Sequence, residues 1–316
     1  MTDVSPGQPG PTADDGDVGP GSDGARTQDP GQRRAEQLPG TEAKVATALD
    51  RIVEAGTPRL HRSWPDLLAT GTVAGLEVSI GVLALLVVKE TTGSPLLAGL
   101  AFSFGFMALL LGHSELFTEG FLVPITVVVA KAARGRDLVR FWLGSFAGNL
   151  VGAWVMMWVV VQAFPDLRAT AVSSATTFID HGTTLQAFCL AVLGGAAITM
   201  MTRMQNGTDS VPAKLVVSVS AAFVLAGLQL SHSVLESILV FAALHTGHAP
   251  FGYLQWAQTA GLAAVGNVVG GVVLVTLLRL FQSPHTVAKE RDNPALGVAI
   301  GDDRREGDRP KAEPGL

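Results

Sequence analysis

Uncharged apolar runs alternate with short polar connections through the middle of the chain. Phe141–Phe164, Thr183–Thr202 and Gly252–Leu278 carry no formal charge. As helices, each is long enough to cross about 30 Å of hydrocarbon. Asp66–Val88 reads as a fourth span, interrupted only by Glu77. Pro95–Ala130 and Leu215–Leu244 are too long for one ordinary span, and each holds ionisable residues centrally: GHSELFTEG (112–120) in the first, His232 and Glu236 in the second. The pattern predicts an all-α integral membrane protein of six transmembrane helices, with helices 2 and 5 broken.

The third span contains GNLVG (Gly148, Asn149, Gly152) and the sixth GNVVG (Gly266, Asn267, Gly270). Thirty-one residues before Asn149 stands Thr118, and the same count before Asn267 reaches Glu236. Spans one to three and four to six therefore read as two copies of one unit. Three spans per copy force opposite insertion, giving two inverted three-helix repeats in an aquaporin-like architecture. The glycines by themselves need only mean close helix packing, but matched polar breaks need more. Non-helical backbone at membrane depth is tolerated where protein or a wet cavity receives it, so two breaks point to a pore.

Charge is confined largely to the ends. Residues 1–45 carry eight acids against four bases and are rich in Pro and Gly, and 284–316 is similar, so both tails read as disordered around a membrane domain at 46–283. The net charge of −5 describes those tails. A single cysteine, Cys189, allows no internal disulfide. The polar N-terminal stretch lacks the apolar region of a cleaved leader. Arg59, Arg62, Lys131, Arg134 and Arg140 flank spans on one side, while the opposite loops hold only Lys89 and Arg168. The bias predicts cytoplasmic termini and a cell-membrane location.

With LFT following AFSFGFMALLLGHSE, a histidine in the fifth span and G-N-x-x-G in spans three and six, the chain resembles the formate/nitrite transporter family over about Leu67 to Phe281. The resemblance implies a homopentamer with one pore per subunit for small monovalent weak-acid anions, travelling with or without a proton, and neither cofactor nor nucleic acid. Leu116, Phe117 and Thr118 match the loop of the broken second helix, and His232 the central histidine. Phe102 falls where the family has its cytoplasmic constriction phenylalanine, and Phe223 or Leu225 supplies the other. The Gly227–His232 spacing is longer than in better-known members, and Glu236 replaces an asparagine. The family's lysine before span four is missing from TTFIDHGTT, which holds Asp180 and His181 instead.

Burial of a monovalent anion disfavours its charge. His232 then either supplies a proton or donates a hydrogen bond while half-helix dipoles favour the anion; the sequence leaves both open. Thr118 offers a hydroxyl either to the pore or to its own helix. Glu115 and Glu119 read as caps on the half-helix that starts at the break. Glu236 has the matching role or pairs with His232 at i to i+4 spacing. Phe102 and Phe223 read as core aromatics or as hydrophobic constrictions. Two other transport or membrane readings compete: an aquaporin-like channel for small neutral solutes, lacking N-P-A boxes here, and a non-conducting scaffold. An intramembrane serine hydrolase through Ser114 is weaker still, since no Gly-x-Ser-x turn is present. The expected protein is not an enzyme.

Overall fold

The computed structural model describes residues 52, 54 and 56–278; the two predicted tails lie outside the described residues. Within them the chain is all helical, and the order of elements repeats. In the first half, α1 (Trp64–Thr92) and α2 (Pro95–Gly112) lead to a break, a 3₁₀ turn (Phe117–Phe121) and α3 (Val123–Val129), then α4 (Gly135–Ala163). After α5 (Arg168–His181) come α6 (Leu185–Asn206) and α7 (Val211–Ala222), which ends in a π turn (Phe223–Gly227). A second break leads to α8 (Ser233–His245), and α9 (Tyr253–Val268) continues as a π segment to Leu277.

Local chemistry sets these limits. Ser63 caps α1 by accepting from the Asp66 amide, and Gly93, at φ 66°, closes it by donating to Lys89 O at 2.8 Å. Ser94 and Ser210 cap α2 and α7 in the same way, accepting from the Leu97 and Ala213 amides. Among the described residues five helices, counting the α9–π unit as one, are long and apolar enough to cross a membrane. α8, at 13 residues, is about 20 Å long and too short to cross alone. It is buried on all sides from Ser233 to Ala243, which only a helix enclosed by protein can be.

The G-N-x-x-G glycines set two close helix contacts. A Cβ on Gly148 would meet Leu68 O at 2.8 Å, and one on Gly152 would run into Thr72 O, so α4 lies backbone to backbone against α1. In the second half a Cβ on Gly266 would meet Ala191 Cβ at 2.5 Å and one on Gly270 would strike Val192 O, joining α9 to α6. These contacts hold α1, α4, α6 and α9 around the two breaks. The sequence pattern gave no helix at 168–181. α5 is built of small Ala, Ser and Thr residues and buries Ala171, Ser174, Ala175 and Phe178 along one face.

Candidate functional site

Each break begins with a residue in the left-handed region, His113 at φ 53° and Gln229 at φ 54°, 116 positions apart. A non-glycine residue there costs on the order of 1–3 kcal/mol, so surrounding contacts must impose it. Ser114 N donates to Leu109 O, and Leu230 N to Leu225 O, again at a 116-residue offset.

Asn149 and Asn267 then receive the freed backbone. Asn149 Oδ1 accepts from Phe117 N at 2.9 Å, while its Nδ2 donates to Glu115 O and Gly71 O, both at 2.9 Å. Asn267 Oδ1 accepts from Ser233 N at 2.9 Å, and its Nδ2 donates to Ser231 O and Ala191 O at 3.0 and 2.8 Å. Both amides are fully buried. The sequence reading placed them with the packing glycines. Their role is different: they satisfy groups that the bilayer could not.

The bonds also correct the register of the repeat. Phe117 corresponds to Ser233, so Thr118 corresponds to Val234 rather than to Glu236, and His232 to Leu116. Counting back from the asparagines fails because the offset is 118 residues in α4/α9 but 116 at the breaks.

The breaks meet at Thr118 and His232. Thr118 Oγ1 lies 2.7 Å from His232 Nε2, with the two residues 0% and 1% exposed. His232 is also the N-cap of α8, its Nδ1 accepting from Leu235 N at 3.2 Å. An Nδ1 that accepts an amide proton carries none of its own. The neutral ring therefore holds its proton on Nε2 and donates it to Thr118. The threonine hydroxyl is bound to the other half of the molecule, not to its own helix, and keeps its own proton to offer onward.

The remaining predicted residues divide. Leu116 is fully buried beside Thr118. Phe117 joins an aromatic cluster, 5.1 Å from Phe121 and 4.9 Å from Phe146 between ring centroids. Phe102 is fully buried, edge-on to Phe106 at 5.0 Å, in the core cluster that also holds Leu225. It lies seven residues into α2 from Pro95, on the side of the 93–94 connection and away from the arginine-lined mouth. Phe223 is 37% exposed while Leu225 is fully buried, so of the two candidates on the π turn it is Leu225 that belongs to the core cluster holding Phe102.

Glu119 stands in the first turn of the 3₁₀ segment, where an acid was expected, but Glu115 departs from the expectation of a simple cap. Glu115, 2% exposed, is held by Arg59, with Nε at 2.8 Å from Oε1, and by Arg62 Nη1 at 2.6 Å. Leu116, not a carboxylate, occupies the cap position of the 3₁₀ turn, without a side-chain hydrogen bond. Glu119 lines the same cleft as these arginines. The cleft, of about 320 Å³, also receives His113, Gln205 and Lys214. Glu236 is 3% exposed and faces the Ser231 hydroxyl and the His232 backbone amide, as a cap would; it makes no ion pair with the imidazole. Glu77 reaches Gly112 and the Ser114 hydroxyl. Arg59 and Arg62 were read from the sequence only as orientation signals. Their pairing with Glu115, more than fifty residues away, has no local signature.

Residues 46–281 match the family described as Formate/nitrite transporter. Among curated relatives, the inner membrane protein YfdC of Escherichia coli K12 is 24% identical over 250 residues, 77% of this chain and 80% of that protein. The formate channel FocA of the same organism is 28% identical over 276 residues, 76% and 92% of the two chains. A solved FNT family ion channel superposes with a TM-score of 0.70 at 17% identity, over 74% of this chain and 98% of its own. A pentameric formate channel with formate bound gives 0.60 at 22%, over 69% and 96%.

Proposed function

Because the chain belongs to the formate/nitrite transporter family, we propose that it carries small monovalent weak-acid anions of the formate or nitrite kind through a pore in each subunit. The subunits assemble as a homopentamer in the plasma membrane, with both termini cytoplasmic. The similarity to a pentameric formate channel supports the assembly and the cargo, and the bias of basic residues toward the arginine-lined mouth supports the orientation.

The observation that carries the site is the Thr118–His232 bond at 2.7 Å, where the two breaks converge. An anion arriving there has lost most of its water, and its charge needs compensation. His232 Nε2–H polarises the Thr118 hydroxyl, whose own proton then donates to the cargo. With Nδ1 committed to Leu235 N–H, the imidazole acts as a neutral donor, not as the source of a transferred proton. Any proton that crosses with the anion comes from the aqueous side. Phe102 and Leu225, both fully buried in the same core cluster, are the apolar constriction that keeps water out when cargo is absent.

Flux of formate, nitrite and chloride into liposomes holding the purified protein, between about pH 5 and pH 8, tests this reading beside His232→Asn. Asparagine preserves the cap but not the Nε2 donor. Weak-acid flux that falls by about tenfold or more in the variant, with the oligomer intact, is expected from the loss of one donor to a charged species. An intact wild-type oligomer without weak-acid flux would overturn it.

A further inference from the structure

The two breaks differ in how their carboxylates are held. At the first, Arg59 and Arg62 hold Glu115, and Glu119 lines the same cleft. The second is followed by a single acid, Glu236, in the first turn of α8. Its side chain is 3% exposed and faces the Ser231 hydroxyl and the His232 backbone amide. Glu236 Oε1 and Ser233 Oγ are both buried with no hydrogen-bond partner among the described residues. Three positions apart on a helix, the two side chains share one face. Buried polar atoms are normally paired, so two orphans together mark a place where something else is bound.

The first repeat shows the same place in a sealed form. In the register of the breaks, Ser233 and Ser237 correspond to Phe117 and Phe121, and Glu236 to Gly120. Across the contact, Trp142 and Phe146 of α4 correspond to Ala260 and Ala264 of α9. Phe117 lies 5.1, 6.4 and 4.9 Å from Phe121, Trp142 and Phe146 between ring centroids. The second repeat has two hydroxyls, two alanines and a carboxyl where the first has rings. The family resemblance gives an asparagine at this position, so the carboxyl belongs to this chain in particular.

No charge balances it. α1, α4, α5 and α9 pack against α8, and none presents a charged group to Glu236. Glu77 turns to Ser114, Lys89 to Ser174 and Glu90 to Thr170. Arg140 donates to Leu60 O and Arg168 to Val161 O, while Arg136 contacts Asp137. Asp180 and His181 stand in the last turn of α5, and the Tyr253 hydroxyl accepts from Trp154. His232, one helical turn before Glu236, is neutral, with Nδ1 committed to Leu235 N–H. An anion at Thr118 and a carboxylate at Glu236 would therefore be two like charges in a water-poor interior. One of the two has to carry a proton.

We propose that Glu236, not His232, is the proton-binding group of the passage, taking up one proton for each anion that docks at Thr118 and His232, so that proton and anion cross together without net charge. The inference rests on the anion-conducting reading above and adds which group holds the proton. On loading, an O–H bond forms at Glu236 with a proton drawn from water, and the anion accepts from the Thr118 hydroxyl. On release that O–H bond breaks, the proton returns to water beside the anion, and the carboxylate is restored. Binding of the two is mutually linked, since each removes the charge cost of the other.

The test finds the conditions under which net formate flux through the protein is zero, in liposomes holding wild type, Glu236→Gln or Glu236→Asn. Flux in protein-free liposomes is subtracted, and size exclusion checks the oligomer. For wild type, a tenfold formate gradient should be cancelled by an opposing difference of about one pH unit, and imposed potentials should not move that point. For both variants the same tenfold gradient should be cancelled by a potential of about 60 mV, with pH having no effect. A wild-type gradient cancelled by potential alone overturns the coupling and leaves the anion-channel reading standing. Variants still balanced by pH place the proton elsewhere and overturn the role of Glu236. Loss of assembly in both variants marks the carboxyl as structural and overturns it too. A wild type that assembles but carries no formate overturns the anion-channel reading itself.

Discussion

Thr118 Oγ1 and His232 Nε2, 114 residues apart in the chain, meet at 2.7 Å in the buried centre of the molecule. Each belongs to a different repeat and each stands beside a broken helix. The bond thus joins the two halves at the point where both lose regular backbone pairing.

Thr118→Val keeps the shape of the side chain and removes its hydroxyl. The buried Nε2–H is left without an acceptor, at a cost of about 1–3 kcal/mol. Flux should fall by about tenfold or more while the oligomer persists, and Thr118→Ser should recover a large part of it. Liposome flux with size exclusion on the same preparations checks both.

Asn149→Ala and Asn267→Ala should be among the most damaging substitutions in the core. Each deletes three hydrogen bonds and orphans one N–H and one carbonyl of a break, Phe117 N and Glu115 O or Ser233 N and Ser231 O. At about 1–3 kcal/mol for each orphaned group, either variant loses a large part of a typical stability margin. Thermal unfolding in detergent should show both falling by similar amounts, because the two amides do the same work in opposite halves.

The Arg59–Glu115 pair should differ sharply from an exposed one. Glu115 is 2% exposed and Arg59 19% at the side chain, whereas Arg136 is 70% exposed in its 3.8 Å contact with Asp137. Glu115→Gln should destabilise by about 3 kcal/mol, since Arg59 and Arg62 lose their shared counter-ion. A double-mutant cycle on Arg136 and Asp137 should give a coupling of about 0–1 kcal/mol.

Gly152→Ala should prevent α4 from reaching its place against α1, because the new methyl falls on the Thr72 carbonyl and backbone cannot yield cheaply. Gly270→Ala should do the same to α9 and α6 through Val192 O. Gly135→Ala, with open space around it, should change stability by no more than about 0.5 kcal/mol. Yield of folded oligomer and melting temperature separate the outcomes.

Periodicity and charge along the chain determined the six crossings, the two interruptions and their duplication, because an apolar run of sufficient length and a polar cluster inside it are local properties read directly in sequence. Thr118 and His232 were also legible, as polar groups in segments that the bilayer would otherwise reject. Tertiary structure decided what the sequence spacing could not. It set the register of the repeat, since the breaks and the G-N-x-x-G helices differ in offset by two residues. It turned Asn149 and Asn267 from packing residues into braces for broken backbone. It gave Glu115 to Arg59 and Arg62 instead of to a helix terminus, and put Leu225 rather than Phe223 in the core cluster that holds Phe102. Each of these depends on a partner dozens of residues away, brought near only when inverted halves pack together, and no local pattern of residues encodes which partner that will be.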